Sequence, residues 1–328
     1  MYSTTGTATE GGKQMDGFEN IFPEQWSDIS RGFAGNSPDH DKLPAQQYAK
    51  LVNERIIRET TVPKLDIELI NEKPGITQSK IGGMPYLPDN FEIPADKNGR
   101  QMKLLAQFNC ADLSELEDFP HTGILQFWLT TDFMWDDFKV VYHETIDESV
   151  SESSAAERIT EYTDGAFPVK GEYSVRFKTG SEPMSRDDER LMALFCQYYT
   201  ELSGEWITSP EDAGDAAYDE FGAYSEEYSG CGHKLGGYYY ICQLPDYLIY
   251  RPKEYAEKYN RRWDRYTEGI DMHSDDCTVM LFQLDSEYHN SSDYSVMWGD
   301  AGAAHFCISR KDLKNHNFDN VSYYFDCS

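Results

Sequence analysis

The sequence predicts an internally duplicated α+β fold, in which two similar sheet-containing repeats pack with pseudo-twofold symmetry around a shared core. Two observations support this prediction. Four short segments occur twice in the same order. Each of the two sets consists of strand-like runs separated by turn residues, with one helical segment. The 328 residues are 39% hydrophobic and 14% aromatic, which is enough apolar material for a packed core. We divide the chain into a loose N-terminal arm, residues 1–40, and one domain, residues 41–328.

The recurring segments are four anchors, found in residues 79–144 and again in residues 233–326. The first set is Lys80-Ile-Gly-Gly-Met-Pro-Tyr86, Leu104-Leu-Ala-Gln-Phe-Asn109, Gly123-Ile-Leu-Gln-Phe-Trp-Leu129 and Val140-Val-Tyr142. The second set is Lys234-Leu-Gly-Gly-Tyr-Tyr-Tyr240, Met280-Leu-Phe-Gln-Leu-Asp285, Gly302-Ala-Ala-His-Phe-Cys-Ile308 and Val321-Ser-Tyr323. Two units are too few for a solenoid, so we expect them to pack on each other.

Two helices are expected outside the anchors. The first begins at Pro44 and ends before Pro63, with apolar residues three and four positions apart. The second follows a capping box formed by Ser185 and Asp188, and its apolar stripe runs on to Leu202. We place this second helix between two sheet-rich halves.

Two segments of opposite charge follow the second helix. Residues 201–227 hold nine acidic residues and no basic one, which is typical of a solvated acidic connector. Residues 251–265 hold six basic and three acidic residues beside an aromatic stripe. That stripe either packs on the core, with its cations solvated or paired to the connector, or forms a partner-binding face.

The overall charge restricts the class of partner. Acidic residues outnumber basic ones 58 to 29, so we expect no nucleic acid held by its phosphates and no anionic membrane surface. Neither a secretory apolar segment nor a membrane-spanning stretch is visible, and the seven cysteines include no Cys-x-x-Cys pair. We therefore expect reduced thiols and a cytoplasmic location.

The anchors also resemble a known family, the bacterial YwqG-like proteins. The resemblance runs from about residue 44 to the C-terminus, and its most specific parts are Met297-Trp-Gly-Asp-Ala-Gly302 and Tyr324-Phe-Asp-Cys327. It implies a duplicated α+β fold without an established biochemical activity. This chain departs from the family pattern after its second Gly-Gly pair, where Tyr238-Tyr-Tyr-Ile-Cys-Gln243 replaces a stretch that ends in arginine.

Strand alternation selects candidate binding residues. It predicts that Gln107 shares a face with Leu105, and that Gln283 shares a face with Leu281. If the strands of each repeat are neighbours in register, Gln107 lies near Gln126 and Gln283 lies near His305.

We interpret these side chains as a polar groove. In this hypothesis Gln107, Gln126, Gln283 and His305 line a cavity that holds a small-molecule ligand, with Lys80 or Lys234 at its mouth. The alternative interpretation is that the amides and the imidazole satisfy buried backbone groups at the repeat interface.

No metal, cofactor or catalytic residue is assigned from the sequence. A tetrahedral zinc site from Cys231, His233, His273 and Cys277 is conceivable but lacks zinc-finger spacing. No nucleophile elbow or His-Glu-x-x-His motif occurs. The sequence therefore favours a non-enzymatic binding protein whose acidic surface suits a basic protein partner. The alternative is a small-molecule enzyme or sensor that uses the groove, and a third hypothesis is a structural scaffold.

Overall fold

The fold is a mixture of helices and strands, as predicted, and one large antiparallel sheet dominates it. The computed structural model describes residues 42–132, 134–160, 167–242, 278–290 and 293–327. The N-terminal arm, residues 1–40, and the basic segment, residues 251–265, lie outside the described residues.

The described residues form twelve strands and five α-helices. The strands are β1 Val62–Ile70, β2 Lys80–Gly82, β3 Lys103–Asn109, β4 Ile124–Leu129, β5 Phe138–His143, β6 Glu172–Glu182, β7 Lys234–Gly236, β8 Thr278–Asp285, β9 Glu287–Asn290, β10 Asp293–Val296, β11 Ala303–Ser309 and β12 Ser322–Asp326. The helices are α1 Ala45–Thr60, α2 Glu152–Ala156, α3 Glu189–Ser203, α4 Asp215–Glu227 and α5 Arg310–Lys314. None of them, within the described ranges, is long and apolar enough to cross a membrane.

Ten of these strands form one sheet in the order β12-β11-β8-β7-β1-β6-β2-β3-β4-β5. Strand β1 pairs along its whole length with β6 at the centre, and β7 and β2 flank them. The two ends of the sheet approach each other, since the rings of Phe138 in β5 and Tyr323 in β12 are 5.1 Å apart. The sheet therefore curls almost into a barrel.

The inner face of the sheet carries the main core. Phe108, Phe127, Phe282 and Phe306 are fully buried, and they come from β3, β4, β8 and β11. Their neighbouring ring centroids are as close as 4.9 Å, mostly in edge or tilted arrangements. Strands from both predicted repeats thus contribute to a single aromatic core.

A β-bulge in each of β3 and β8 makes the predicted alternation partly wrong. Leu105 and Leu281 are the extra residues, so they face the phenylalanine core on the side opposite Gln107 and Gln283. Leu104 turns instead to the outer side of the sheet. One inserted residue reverses the side on which the preceding residues lie, and sequence alternation alone does not reveal it.

Helices α1, α3 and α4 form a separate layer with its own apolar core. Helix α1 starts directly after Pro44 and ends at Thr60, as predicted. Helix α3 has a different cap from the predicted one, because the side chain of Asp188 itself accepts from the Arg190 amide. Ser185 donates its hydroxyl to the carbonyl of Tyr239 instead.

Candidate functional site

The predicted polar residues Lys80, Gln107 and Gln126 lie side by side on β2, β3 and β4. The strand registers pair Lys80 with Gln107, and Gln107 with Gln126. Lys80 is only 1% exposed, and the two glutamines are fully buried. The predicted proximity of the two glutamines is therefore confirmed.

These glutamines form hydrogen bonds with the main chain of the segment that covers them. Gln107 Oε1 accepts from the Tyr86 amide at 2.8 Å, and Gln107 Nε2 donates to the carbonyls of Ile76 and Gln78 at 2.9 and 3.0 Å. Gln126 Nε2 donates to the Tyr86 carbonyl at 2.8 Å. Both amides thus satisfy buried main-chain groups of residues 76–86.

Lys234, Gln283 and His305 form a second cluster on β7, β8 and β11. Gln283 pairs with Lys234 on one side and with His305 on the other. Its Oε1 accepts from the Tyr240 amide at 2.9 Å, and its Nε2 donates to the carbonyls of Gly230 and Gly232 at 2.9 and 2.8 Å. His305 contacts the Tyr240 carbonyl through Nε2.

The six predicted residues therefore occupy two places in the sheet. Strands β1 and β6 lie between the two clusters, and a separate loop covers each cluster. The side chains of all six are almost completely buried. Hydrogen bonds of Lys80, the three glutamines and His305 hold main-chain segments, and a ligand-binding role for the six residues stays a prediction.

Lys234 has a charged partner that the sequence did not indicate. Its Nζ donates to Glu182 Oε1 at 2.6 Å, and Lys64 Nζ lies 3.1 Å from Glu182 Oε2. Burial lowers the pKa of Lys234, and Glu182 opposes that effect. Because Glu182 precedes Lys234 by 52 positions, no local sequence pattern connects them.

Lys80 has a different environment. Its Nζ donates to the carbonyls of Met84 at 2.9 Å and Ile76 at 3.3 Å. Burial lowers the pKa of this ammonium to about 8, and the charges of Glu152 and Glu172 oppose that shift only in part. Lys80 is thus a buried cation held by neutral groups.

His143 also belongs to the first cluster and is not among the residues predicted from the sequence. Its Nε2 lies 3.0 Å from Gln126 Oε1, so this nitrogen carries the proton. The imidazole makes T-shaped contacts with the rings of Tyr86 and Phe91. The ring centroids lie 5.4 Å apart for Tyr86 and 4.8 Å apart for Phe91. Burial lowers the pKa of His143 to about 4, which keeps the ring neutral at pH 7. Its position directly after the fourth anchor was the available signal.

Among the conceivable zinc ligands, His233 is engaged elsewhere and two others lie outside the described residues. His233 Nδ1 accepts from the Asp285 amide at 3.0 Å, and Nε2 lies 3.0 Å from Glu287. Both ring nitrogens are therefore occupied. His273 and Cys277 are not among the described residues. Within the ranges that are described, no three histidine, cysteine or acidic side chains are grouped to hold a metal ion.

Comparison with protein families finds one match. The family described as "Domain of unknown function (DUF1963)" matches residues 79–327, about three quarters of the chain. No curated protein matches the sequence. The matched range begins at the first anchor and includes both polar clusters, but it leaves out α1 and β1. This protein therefore belongs to the DUF1963 family.

Proposed function

We propose that this protein is a binding protein that recognises a basic protein partner through the acidic surface of its helical layer. The observation that carries the proposal is the exposure of the carboxylates in residues 201–227. We call the exposed part of this segment the acidic surface. Its role is recognition rather than catalysis.

The acidic surface has no basic residue of its own. Eight of its nine acidic side chains belong to exposed residues, namely Glu201, Glu205, Glu211, Asp212, Asp215, Asp219, Glu226 and Glu227. Glu220 is the half-buried exception and lies 3.5 Å from Lys50 Nζ of α1. Glu201 and Glu205 form ion pairs with Arg55 and Lys42. The concentration of one sign of charge in the six other exposed carboxylates attracts a basic protein over distances of about a Debye length, about 8 Å at physiological salt.

Large apolar side chains stand among these carboxylates. Trp206 is 48% exposed, Tyr218 is 45% exposed and Leu202 is 42% exposed. Tryptophan and tyrosine are the residues most enriched in the energetic centres of protein interfaces. The surface therefore offers aromatic anchors for affinity and carboxylates for the rate of association.

The helices beneath the acidic surface hold it in one arrangement. Phe221 of α4 packs against Phe195 of α3, with ring centroids 4.8 Å apart. The Tyr224 hydroxyl of α4 donates to the Met184 carbonyl at 2.7 Å. A surface fixed before binding loses less conformational entropy when a partner docks.

We also infer that the chain is YwqG-like, cytoplasmic and internally duplicated. The strand order supports the duplication, because β2-β3-β4-β5 and β7-β8-β11-β12 extend in opposite directions from the central pair β1 and β6. The matching hydrogen bonds of Gln107 and Gln283 give the same support. The YwqG-like assignment rests on the quoted motifs, and the location rests on the expectation of reduced thiols.

The test compares two variants with the same change in charge. The first carries Glu211→Gln, Asp219→Asn, Glu226→Gln and Glu227→Gln on the acidic surface. The control carries Asp89→Asn, Glu92→Gln, Glu144→Gln and Glu148→Gln, which are exposed residues outside the helical layer. Association rates with a panel of purified basic proteins are measured by stopped flow at 50 and 300 mM salt.

We expect at least one basic protein to bind, with an association rate that falls about tenfold or more between the two salt concentrations. The acidic-surface variant should associate several times more slowly than the control variant. The proposal fails if no basic protein binds, if salt has no effect, or if the two variants associate at the same rate.

A further inference from the structure

One side chain of the second cluster holds two chain segments together. Gln283 Nε2 donates to the carbonyls of Gly230 and Gly232, and its Oε1 accepts from the Tyr240 amide at 2.9 Å. A Cβ on Gly230 would lie 2.4 Å from the carbonyl oxygen of residue 239, so the two segments are in direct contact. Cys231, between the two glycines, therefore lies beside the segment that contains Tyr240.

Cys242 lies on the same side of that segment as Tyr240. The amides of Ile241 and Cys242 donate to different partners, to Asp187 just before α3 and to Asp326 of β12, as consecutive amides of extended backbone do. Side chains two positions apart on such a backbone share a side. The Tyr240 hydroxyl accordingly forms a hydrogen bond with the Cys242 thiol.

Cys231 is the accessible thiol of the two. Among the cysteines of the described residues, Cys231 alone is exposed, and Cys242 is half-buried. Both are free thiols. Burial raises the pKa of Cys110 and Cys196 to about 12, which leaves those thiols unreactive at neutral pH. An oxidant in solution therefore meets Cys231 first.

The charges around Cys242 indicate that Cys231 is near. Burial raises the pKa of Cys242, and the Tyr240 hydroxyl opposes that effect. Three negative groups add to the increase, namely the carboxylates of Asp326 and Asp285 and a thiolate at Cys231. Charges of partly exposed groups act over about 8 Å at physiological salt, so the two sulfur atoms lie in the same neighbourhood.

We propose that Cys231 is a modification site for low-molecular-weight disulfides, and that Cys242 completes the reaction by forming a disulfide with it. The Cys231 thiolate attacks one sulfur of the small disulfide, so a mixed disulfide forms at Cys231 and one small thiol leaves. The Cys242 thiolate then attacks the Cys231 sulfur, and the second small thiol leaves. Two electrons and the two protons of the protein thiols end on the two released thiols.

A hydroxyl group assists each sulfur atom. The hydrogen bond to Cys242 raises the pKa of Tyr240, so the hydroxyl stays protonated and donates to the Cys242 thiolate. Ser229 Oγ donates to Cys231 Sγ at 3.1 Å. Tyr240 is thus a positioning residue for the second step of the reaction.

The disulfide links the two ends of the segment that covers the second cluster. Residues 231–242 include β7 and the second Gly-Gly pair, and Tyr240 contacts both Gln283 and His305. A cross-link at the ends of this segment restricts the unfolded chain and so stabilises the folded chain. The site is separate from the acidic surface, which ends at residue 227.

The test follows the thiols of the full chain in a glutathione buffer. The reduced protein is incubated with glutathione disulfide and glutathione, the remaining thiols are alkylated at set times, and mass spectrometry of the digest identifies each linked cysteine. We expect one Cys231–Cys242 disulfide per chain, preceded by glutathione on Cys231. The product should unfold a few degrees above the reduced protein, and dithiothreitol should reverse the change.

Four variants separate the two steps. Cys242→Ser should stop at the mixed disulfide on Cys231, and Cys231→Ser should leave Cys242 modified at least tenfold more slowly. Tyr240→Phe should slow the second step several-fold and leave the first unchanged. Cys327→Ser removes another partly exposed thiol and is the matched control, which should react as the wild type does. Circular dichroism checks the fold of each variant.

The second step should also depend on pH. Because the pKa of Cys242 is raised, its thiolate is a small fraction at neutral pH, and the rate of closure should rise about tenfold from pH 7 to pH 8. A rate of closure that is the same at both pH values would show that Cys242 is not the attacking thiol.

The inference is overturned if Cys231 is modified no faster than the buried cysteines. It is equally overturned if the wild type stops at the mixed disulfide, or if Cys231 links to a cysteine other than Cys242. This mapping on the wild type decides the inference even if a variant does not fold. Failure here leaves the acidic-surface proposal standing, because that proposal is measured with basic proteins and different variants.

Discussion

Glu182 and Lys234 form an ion pair across an intervening strand. Strand β1 lies between β6 and β7, yet Glu182 Oε1 is 2.6 Å from Lys234 Nζ. Lys64 of β1 approaches the same carboxylate at 3.1 Å. The centre of the sheet is therefore joined by charged side chains as well as by main-chain hydrogen bonds.

Removing one member of this pair should strongly destabilise the fold. We expect Glu182→Leu to lower the free energy of unfolding by about 3 kcal/mol, because it leaves the Lys234 ammonium buried without a counter-ion. The double variant Glu182→Leu with Lys234→Met should be more stable than Glu182→Leu alone. Urea unfolding measures both, and a double variant less stable than the single one would contradict this explanation.

Lys80 should make stability depend on pH in the alkaline range. Its pKa is about 8 in the folded chain, below the ordinary value of 10.5, because burial disfavours the charged form. Between these values the unfolded chain binds more protons than the folded chain, so stability rises with pH. The gain from this group is at most about 3 kcal/mol.

Comparison with Lys80→Met isolates this contribution. Tyrosines and cysteines that titrate in the same range are common to both proteins, so their effects cancel in the difference. The wild type should gain stability relative to Lys80→Met as pH rises from 7.5 to 10.5, as measured by chemical unfolding at each pH. A constant difference would show that the Lys80 pKa is not depressed.

Gln126 is the residue of the first cluster that corresponds to His305 of the second, and we predict that a glutamine can replace His305. Gln126 Nε2 donates to the Tyr86 carbonyl, and His305 Nε2 contacts the Tyr240 carbonyl. We expect His305→Gln to change the unfolding free energy by less than about 1 kcal/mol. His305→Leu should cost about 2 kcal/mol, because it leaves a buried carbonyl without a donor. Equal losses in the two variants would count against the inferred duplication.

The sequence predicted the parts of the fold that depend on recurring local patterns. The assumption that the two strands of each repeat are neighbours in register placed Gln107 near Gln126 and Gln283 near His305, and the observed registers pair these residues. It did not predict the bulges at Leu105 and Leu281, because an extra residue leaves an apolar run unchanged in composition.

Contacts between residues far apart in the sequence could not be predicted, for a different reason. Glu182 lies far from both sets of anchors in the sequence, and nothing in its neighbourhood distinguishes it from the other carboxylates. The same holds for β1, which precedes both sets of anchors yet pairs at the middle of the sheet. Such pairings depend on how the whole chain folds.

The central position of β1 predicts that the family-matched range does not fold alone. Strand β1 pairs with β6 along residues 62–70 and with β7 at residues 64–66, and Leu65 and Ile67 enter the main core. A fragment of residues 79–328 lacks this strand and exposes the edges of two neighbours. We expect it to lack the dispersed NMR spectrum and cooperative thermal unfolding of the full chain. Adding a separate fragment of residues 42–78 should restore both, because it supplies α1 and β1 in trans. Cooperative unfolding of fragment 79–328 by itself would show that β1 is dispensable.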